Sequence, residues 1–78
     1  MTSVTTRLTL YTRPGCHLCE VAVEALERIG EPYEEIDITG DRELEAEYGD
    51  RIPVVMLDGR EHGYWRVEEE RLRRDLAR

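Results

Sequence analysis

The sequence predicts an α/β domain whose elements follow the order β-α-β-α-β-β-α, with a four-stranded mixed sheet and flanking helices. Two observations lead to this prediction. A strand-like run, a helix-like run and a second strand-like run come first, which implies a right-handed parallel crossover. Later, an Asp58-Gly59 pair between two strand-like runs gives the strongest hairpin signal in the chain and adds antiparallel pairing. The sheet is therefore expected to be mixed.

The first strand and the first helix flank the two cysteines of the chain. The segment "RLTLYT" (residues 7–12) alternates as a strand does, and "RPG" supplies the turn after it. A helix is predicted from Cys16 to Ile29, because apolar residues recur there at helical spacing, and Gly30 and Pro32 end it. The apolar positions of this helix are Leu18, Ala22, Ala25, Leu26 and Ile29.

The middle of the chain predicts a strand and a short helix. "YEEIDI" (residues 33–38) alternates with Ile36 and Ile38 inward, as a half-buried strand at a sheet edge does. Asp41 is placed to cap a short helix that ends at Gly49. These elements complete the first β-α-β unit and lead into the hairpin.

The last third of the chain predicts a hairpin and a closing helix. "IPVVMLDGREHGYW" (residues 52–65) contains the two hairpin strands. The helix from Glu68 to Ala77 has acidic residues first and basic residues last, which suits the helix dipole, and Leu72 and Leu76 face inward.

Length and composition limit the architecture. The 78 residues suffice for one small domain with a modest core, which we expect over residues 7–78, after a disordered segment over residues 1–6. The start "MTSVTTR" lacks the apolar stretch of a signal peptide, and no apolar run approaches the ~18 residues of a membrane span. These features favour the cytoplasm, where two nearby cysteines are more often catalytic or metal-binding than structural.

Charge and missing residue types exclude several classes of function. The formal net charge of −7 disfavours binding to the phosphate backbone of nucleic acids. The chain has no lysine, which excludes a P-loop lysine and Schiff-base chemistry. Its only serine is Ser3, in the predicted disordered segment, so chemistry with a serine nucleophile is disfavoured as well.

The two cysteines form a Cys-x-x-Cys motif at the predicted start of the first helix. A sulfur at Cys16 meets the free N–H groups and the positive end of the helix dipole, which favour a thiolate. Cys19 follows one helical turn later on the same side, close enough to form a disulfide with Cys16. Arg13 and His17 add positive charge nearby in one interpretation, and are solvated side chains without a role in the other. The spacing indicates a nucleophilic thiol and a resolving thiol on one rigid element.

Other roles for the cysteines stay open from the residues alone. A zinc site within one chain would need His17 and His62 as further ligands, and one short turn would have to present three of the four, so no metal site is predicted. A metal or iron-sulfur cluster shared by two chains needs only Cys16, with or without Cys19, from each. Two inert, buried thiols are the third possibility, which the turn before Cys16 disfavours.

The segments "LTLYTRPGCHLC" and "RIPVVMLDG" resemble the active-site strand and loop of glutaredoxins and their later strand with a cis-proline. The similarity extends from Arg7 to the C-terminus and implies the thioredoxin fold. It also implies that Cys16 is the exposed nucleophile and Cys19 the resolving thiol. Ile52 and Pro53 would form a cis peptide that docks the bound peptide or glutathione.

Arg13 falls where glutaredoxins usually carry a basic residue near the glycine carboxylate of glutathione. The chain departs from the family at "GYWRV", where glutaredoxins typically have two glycines and then acidic residues that hold the glutamyl end of glutathione. Tyr64 replaces the second glycine here. Tyr64 and Trp65 are interpreted either as a platform for substrate or as packing between the last strand and the last helix.

The leading hypothesis is a cytoplasmic, monomeric thiol-disulfide oxidoreductase of the glutaredoxin-like kind. It would hold no cofactor, reduce disulfides of proteins or small molecules, and bind neither nucleic acid nor membranes. Glutathione or a thioredoxin reductase would be its external electron donor. The alternatives are a dimer that bridges a cluster or metal through Cys16, and a redox-inactive adaptor with the thioredoxin fold.

Overall fold

The computed structural model describes residues 6–78 and contains seven elements in the predicted order. The elements are β1 (Leu8–Thr12), α1 (His17–Ile29), β2 (Tyr33–Asp37), α2 (Arg42–Tyr48), β3 (Val54–Leu57), β4 (Arg60–Tyr64) and α3 (Glu69–Leu76). The predicted disordered segment lies, apart from Thr6, outside the described residues. Within residues 6–78, no helix combines the length and the apolar character that crossing a membrane would need.

The four strands form one mixed sheet in the order β2-β1-β3-β4. β1 pairs in parallel with β2, and the β1–β3 and β3–β4 pairs are antiparallel. Tyr11 lies opposite Ile36 on one side and Val54 on the other, so the end of β1 and the start of β3 meet at the same end of the sheet. The predicted mixed sheet and the edge position of β2 are confirmed.

Helices cover both faces of the sheet. α1 and α3 pack on one face, where apolar side chains from β1, β3 and the two helices form the core cluster: Leu8, Leu10, Ala22, Leu26, Val55 and Leu72. α2 lies on the opposite face, where the ring of Tyr48 stacks on the ring of Tyr11 with centroids 4.8 Å apart. Because each fully buried leucine contributes roughly 1.5–3 kcal/mol, the face toward α1 and α3 supplies most of the apolar stabilisation.

One apolar position of α1 lies outside the core. Leu18 shares the helical spacing of Ala22, Ala25 and Leu26, but 49% of its surface is exposed. The buried stripe of α1 is centred on Cys19, Ala22 and Leu26, and Leu18 lies at its margin in the first turn, outside the core cluster. The buried position near the start of α1 therefore belongs to a cysteine.

The turns confirm the positions assigned from sequence. Asp58 and Gly59 have φ values of 53° and 82°, and two left-handed residues in succession are typical of the tight hairpin turn that Asp-Gly favours. α1 ends at Gly30 with φ 84°, and the side chain of Asp41 accepts a hydrogen bond from the N–H of Leu44 at 3.0 Å to cap α2.

Side chains join the elements at the end of the sheet remote from the cysteines. Arg7 donates from Nε and Nη2 to the two carboxylate oxygens of Asp58 at 3.0 and 2.9 Å, and from Nη1 to the carbonyl of Leu76 at 2.9 Å. His62 of β4 donates from Nε2 to Asp75 of α3 at 2.8 Å. These contacts fix α3 on the sheet without involving the cysteines.

Candidate active site

Cys16 is the N-cap residue of α1. Its backbone is extended, with φ −97° and ψ 111°, and its Sγ accepts a hydrogen bond from the backbone N–H of Cys19 at 3.1 Å. The sulfur therefore occupies the place that a serine or aspartate oxygen takes in an ordinary helix cap. Such a position stabilises negative charge on the sulfur, because unpaired N–H groups and the helix dipole point toward it.

The loop before α1 leaves one side of Cys16 open. Arg13, Pro14 and Gly15 are exposed, and Gly15 has a φ of 73°, which favours glycine. Cys16 itself is half-buried. The chain thus turns sharply out of β1 and presents the first sulfur at the surface.

Cys19 is different in environment from Cys16. It is only 4% exposed and lies on the buried stripe of α1. Burial is the largest of the influences that raise the pKa of the Cys19 thiol to about 12, and its hydrogen bond with Cys16 acts in the same direction. The pair therefore combines an accessible thiol at the helix start with a protected, protonated thiol one turn later.

Ile52 and Pro53 lie at the same end of the sheet as the cysteines. The bond between them is cis, as the resemblance to glutaredoxins implies. Pro53 is buried and directly precedes β3, whose first residue Val54 is paired with Tyr11 near the end of β1. The backbone N–H of Trp65 donates to the carbonyl of Pro53 at 2.8 Å, which ties the end of β4 to this segment.

Tyr64 and Trp65 are exposed, with 46% and 55% of their surfaces accessible. The two rings meet edge to face with centroids 5.0 Å apart, and Trp65 Nε1 donates to the carbonyl of Asp50 at 3.3 Å. Trp65 adopts the left-handed conformation, with φ 68°, which turns the chain out of β4. The interpretation of these rings as packing between strand and helix is wrong, because that role would bury them.

The two basic candidates near the cysteines have different surroundings. Arg13 lines a cavity of about 190 Å³ together with Cys16 and Cys19, and its guanidinium lies 3.9 Å from the carboxylate of Glu45 in α2. His17 is exposed at the first position of α1. Within residues 6–78, no three or more His, Cys, Asp and Glu side chains converge as they would around a metal ion.

Sequence reasoning missed Glu35, which lines the same cavity as the cysteines. Its carboxylate accepts a hydrogen bond at 3.0 Å from the hydroxyl of Thr12, a side chain that is 3% exposed. The alternation of the second strand directed attention to its isoleucines. No local signal marks it, because its proximity to the cysteines arises only when β2 pairs with β1.

The geometry defines a class of protein. The cysteine pair lies at a helix N-terminus, and a cis-proline opens the third strand at the same end of the mixed four-stranded sheet. This is the arrangement of thioredoxin-fold proteins of the glutaredoxin-like kind. The model of the Glutaredoxin-like domain (DUF836) matches residues 7–77, and the chain belongs to this family.

Individual relatives agree with this assignment. The chain is 49% identical to an uncharacterized protein of Mycobacterium tuberculosis, over 88% of this chain and 80% of that one. It is 43% identical to the protein XcR50 from X. campestris, whose X-ray structure matches with a TM-score of 0.78 over 90% of this chain and 95% of that one. A glutaredoxin from Archaeoglobus fulgidus matches with a TM-score of 0.67 at 23% identity, over 94% and 87% of the two chains, which shows the shared thioredoxin fold.

Proposed function

We propose that this protein is a thiol-disulfide oxidoreductase that reduces disulfides of proteins or small molecules through Cys16 and Cys19. One observation carries the proposal: the half-buried Cys16 sulfur caps α1 and accepts the N–H of the buried Cys19 at 3.1 Å. This geometry gives the two sulfurs different tasks, since the accessible one can reach a substrate and the protected one can reach only its partner.

The reaction proceeds in two exchanges. The Cys16 thiolate attacks one sulfur of the substrate disulfide, forms a mixed disulfide and displaces the first substrate thiolate. The Cys19 thiol then loses its proton and attacks the Cys16 sulfur, which breaks the mixed disulfide and releases the second substrate thiolate. The substrate gains two electrons and leaves as two thiolates, which take up protons from water, and the protein is left with a Cys16–Cys19 disulfide.

An external thiol donor must return the pair to the dithiol form. The donor would be glutathione or a thioredoxin reductase, and the segment that holds glutathione in typical glutaredoxins is replaced here by "GYWRV". The protein works as a cytoplasmic monomer in this proposal and needs no bound cofactor. A turnover assay with one disulfide substrate, run with glutathione and its reductase and then with thioredoxin reductase, identifies the donor.

The substrate would contact groups at the same end of the sheet as the cysteines. Arg13 lines the cavity of the cysteines, and the backbone of Ile52 and Pro53 opens β3 beside the end of β1. Tyr64 and Trp65 extend this surface with exposed aromatic rings, joined to Pro53 through the Trp65 N–H. An extended peptide would lie along the backbone of Ile52 and Pro53. One of its apolar side chains would contact the rings of Tyr64 and Trp65.

A pair of serine variants tests the assignment of the two sulfurs. Cys19→Ser should accumulate a mixed disulfide between Cys16 and an oxidised peptide, because the first exchange proceeds and the second is blocked. Cys16→Ser is the matched control and should form none. Intact mass measured without reductant detects the adduct, and recovery of unmodified Cys19→Ser protein would contradict the proposal.

A further inference from the structure

Glu35 lies on the edge strand β2, beside the apolar core and close to the cysteines. It is paired with Leu10 across the parallel β1–β2 ladder, and neighbouring residues of paired strands point to the same face of the sheet. Leu10 belongs to the core cluster beneath α1, so Glu35 flanks a position that is completely buried. Glu35 itself is exposed, so its carboxylate lies in water at the margin of this core.

The contacts of Glu35 hold its carboxylate on the side of the cysteines. The Thr12 hydroxyl donates to Glu35 Oε2 at 3.0 Å, and Thr12 is the last residue of β1. Glu35 and both cysteines line one cavity of about 190 Å³. The outer side of Glu35 is exposed, so a proton on it can exchange with water.

The second exchange of the proposed reaction needs a proton acceptor. Cys19 is protected from solvent, and burial raises the pKa of its thiol to about 12, so very little thiolate is present at neutral pH. When Cys16 is in a mixed disulfide, its own contributions to the raised pKa of Cys19 are lost. The largest contribution, the burial of Cys19, remains. A base in the same cavity could accept the proton of the Cys19 thiol as that sulfur attacks the mixed disulfide.

We propose that Glu35 accepts the Cys19 proton during resolution of the mixed disulfide, and that Thr12 positions its carboxylate for this transfer. The inference rests on the proposed function. The proton passes from Cys19 Sγ to the Glu35 carboxylate, directly or through one water, as the Cys19 sulfur forms its bond to Cys16 Sγ. The bond between Cys16 and the substrate sulfur breaks, the substrate leaves as a thiolate, and Glu35 returns the proton to water.

Three other ionisable groups lie around Glu35. Glu20 of α1 lines the same cavity, Arg13 contributes a positive charge at its mouth, and Tyr33 lies two residues before Glu35 on β2. Tyr33 donates its hydroxyl to Glu27 at 2.8 Å, and burial raises its pKa to about 12, which makes it a poor base. Glu20 is thus the one rival carboxylate among the described residues that line the cavity.

The test separates the two exchanges in time. An aromatic disulfide that releases one coloured thiolate on attack by Cys16 and another on resolution by Cys19 is mixed with reduced protein under stopped flow. Glu35→Gln should leave the first release unchanged and slow the second roughly 100-fold or more at neutral pH. The amide oxygen of glutamine can still accept the Thr12 hydroxyl, so the hydrogen bond survives. Glu20→Gln is the matched control and should change neither release.

The direction of the effect distinguishes a base from a mere neighbouring charge. The negative charge of Glu35 raises the pKa of Cys19, so removing it would speed the second release if electrostatics were its only influence. A second release in Glu35→Gln that is as fast as in the unaltered protein, or faster, overturns the inference. Equal slowing in Glu20→Gln also overturns it.

The pH profile supplies a readout that structural damage would not mimic. In Glu35→Gln the second release should depend on hydroxide and rise about tenfold per pH unit, while the unaltered protein shows a shallower dependence. Thr12→Val should slow the second release and Thr12→Ser should restore it. Absence of the first release in every variant, Glu20→Gln included, would instead contradict the proposed function itself.

Discussion

The backbone N–H of Cys19 donates to the sulfur of Cys16 at 3.1 Å, so the second cysteine helps to fix the sulfur of the first. The relationship is unequal. Cys16 is half-buried at the helix start, whereas Cys19 is 4% exposed and burial raises the pKa of its thiol to about 12.

This inequality predicts selective alkylation. Iodoacetamide should modify Cys16 at least roughly 100-fold faster than Cys19 at pH 8, because the thiolate is the reacting species and the Cys19 thiol is both protonated and covered. Peptide mapping by mass spectrometry after brief exposure measures the two rates. Comparable labelling of both cysteines in folded protein would contradict the assignment of roles. Protein unfolded in urea is the control, and the two rates should converge there.

The exposed ring of Trp65 predicts a contribution to substrate binding. Trp65→Gly should raise KM for a peptide disulfide about tenfold, or ~1.4 kcal/mol, with kcat nearly unchanged. Glycine suits this position because the φ of Trp65 is 68°, so the ring is lost without opposing the backbone. Trp65→Ala is the companion variant, with the same change in KM and lower thermal stability. If KM were unchanged in both Trp65 variants, the ring would not be part of the substrate-binding surface.

The His62–Asp75 pair predicts a pH-dependent stability. Its hydrogen bond lowers the pKa of Asp75 from the ordinary value of 3.8, so the ionised carboxylate stabilises the fold above that pH, and the stabilisation is lost as pH falls through the lowered value. Asp75→Asn should therefore have a lower urea midpoint than the unaltered protein at pH 7, and the difference should shrink in strong acid. Asp50→Asn serves as control, since that side chain is 83% exposed and its ion pair with Arg51 spans 3.9 Å. If the difference between the two urea midpoints grew as the pH fell, the expected direction of the pH dependence would be wrong.

The two leucines of α1 predict opposite sensitivities. Leu26→Ala should lower the free energy of unfolding by about 2 to 5 kcal/mol, because Leu26 is fully buried in the core cluster. Leu18→Ala in the same helix should change it by less than about 0.5 kcal/mol, because half of Leu18 is exposed. Urea titration followed by circular dichroism measures both. Equal losses would indicate that Leu18 packs against the core after all.

Much of the fold follows from local features of the sequence. Alternation in "RLTLYT" predicts β1, the glycine at position 30 marks the end of α1, and the Asp58-Gly59 turn predicts the hairpin. Each of these signals depends on residues near one another in the chain, where backbone preference and hydrogen bonding act directly. The cis bond before Pro53 followed from the family resemblance, since local preference favours trans.

The features that sequence reasoning missed depend on distant parts of the chain. Leu18 has helical spacing with Ala22, but only the placement of α1 against the sheet shows that the core begins one turn later. Glu35 acquires its meaning from Thr12, 23 residues away, and from a cavity that α1 completes. For Tyr64 and Trp65 the sequence leaves two interpretations open, and the placement of α3 decides whether the rings are exposed or packed. The surroundings of these residues depend on how the helices and strands pack together, and local sequence patterns do not carry that information.

Trp65 is the only tryptophan in the chain, and its indole lies open to solvent with its N–H fixed on the carbonyl of Asp50. The protein therefore carries a built-in fluorophore beside the segment that leads to Pro53. A ligand that covers the ring should shift its emission to shorter wavelength. Binding at this surface can thus be followed in the unlabelled protein.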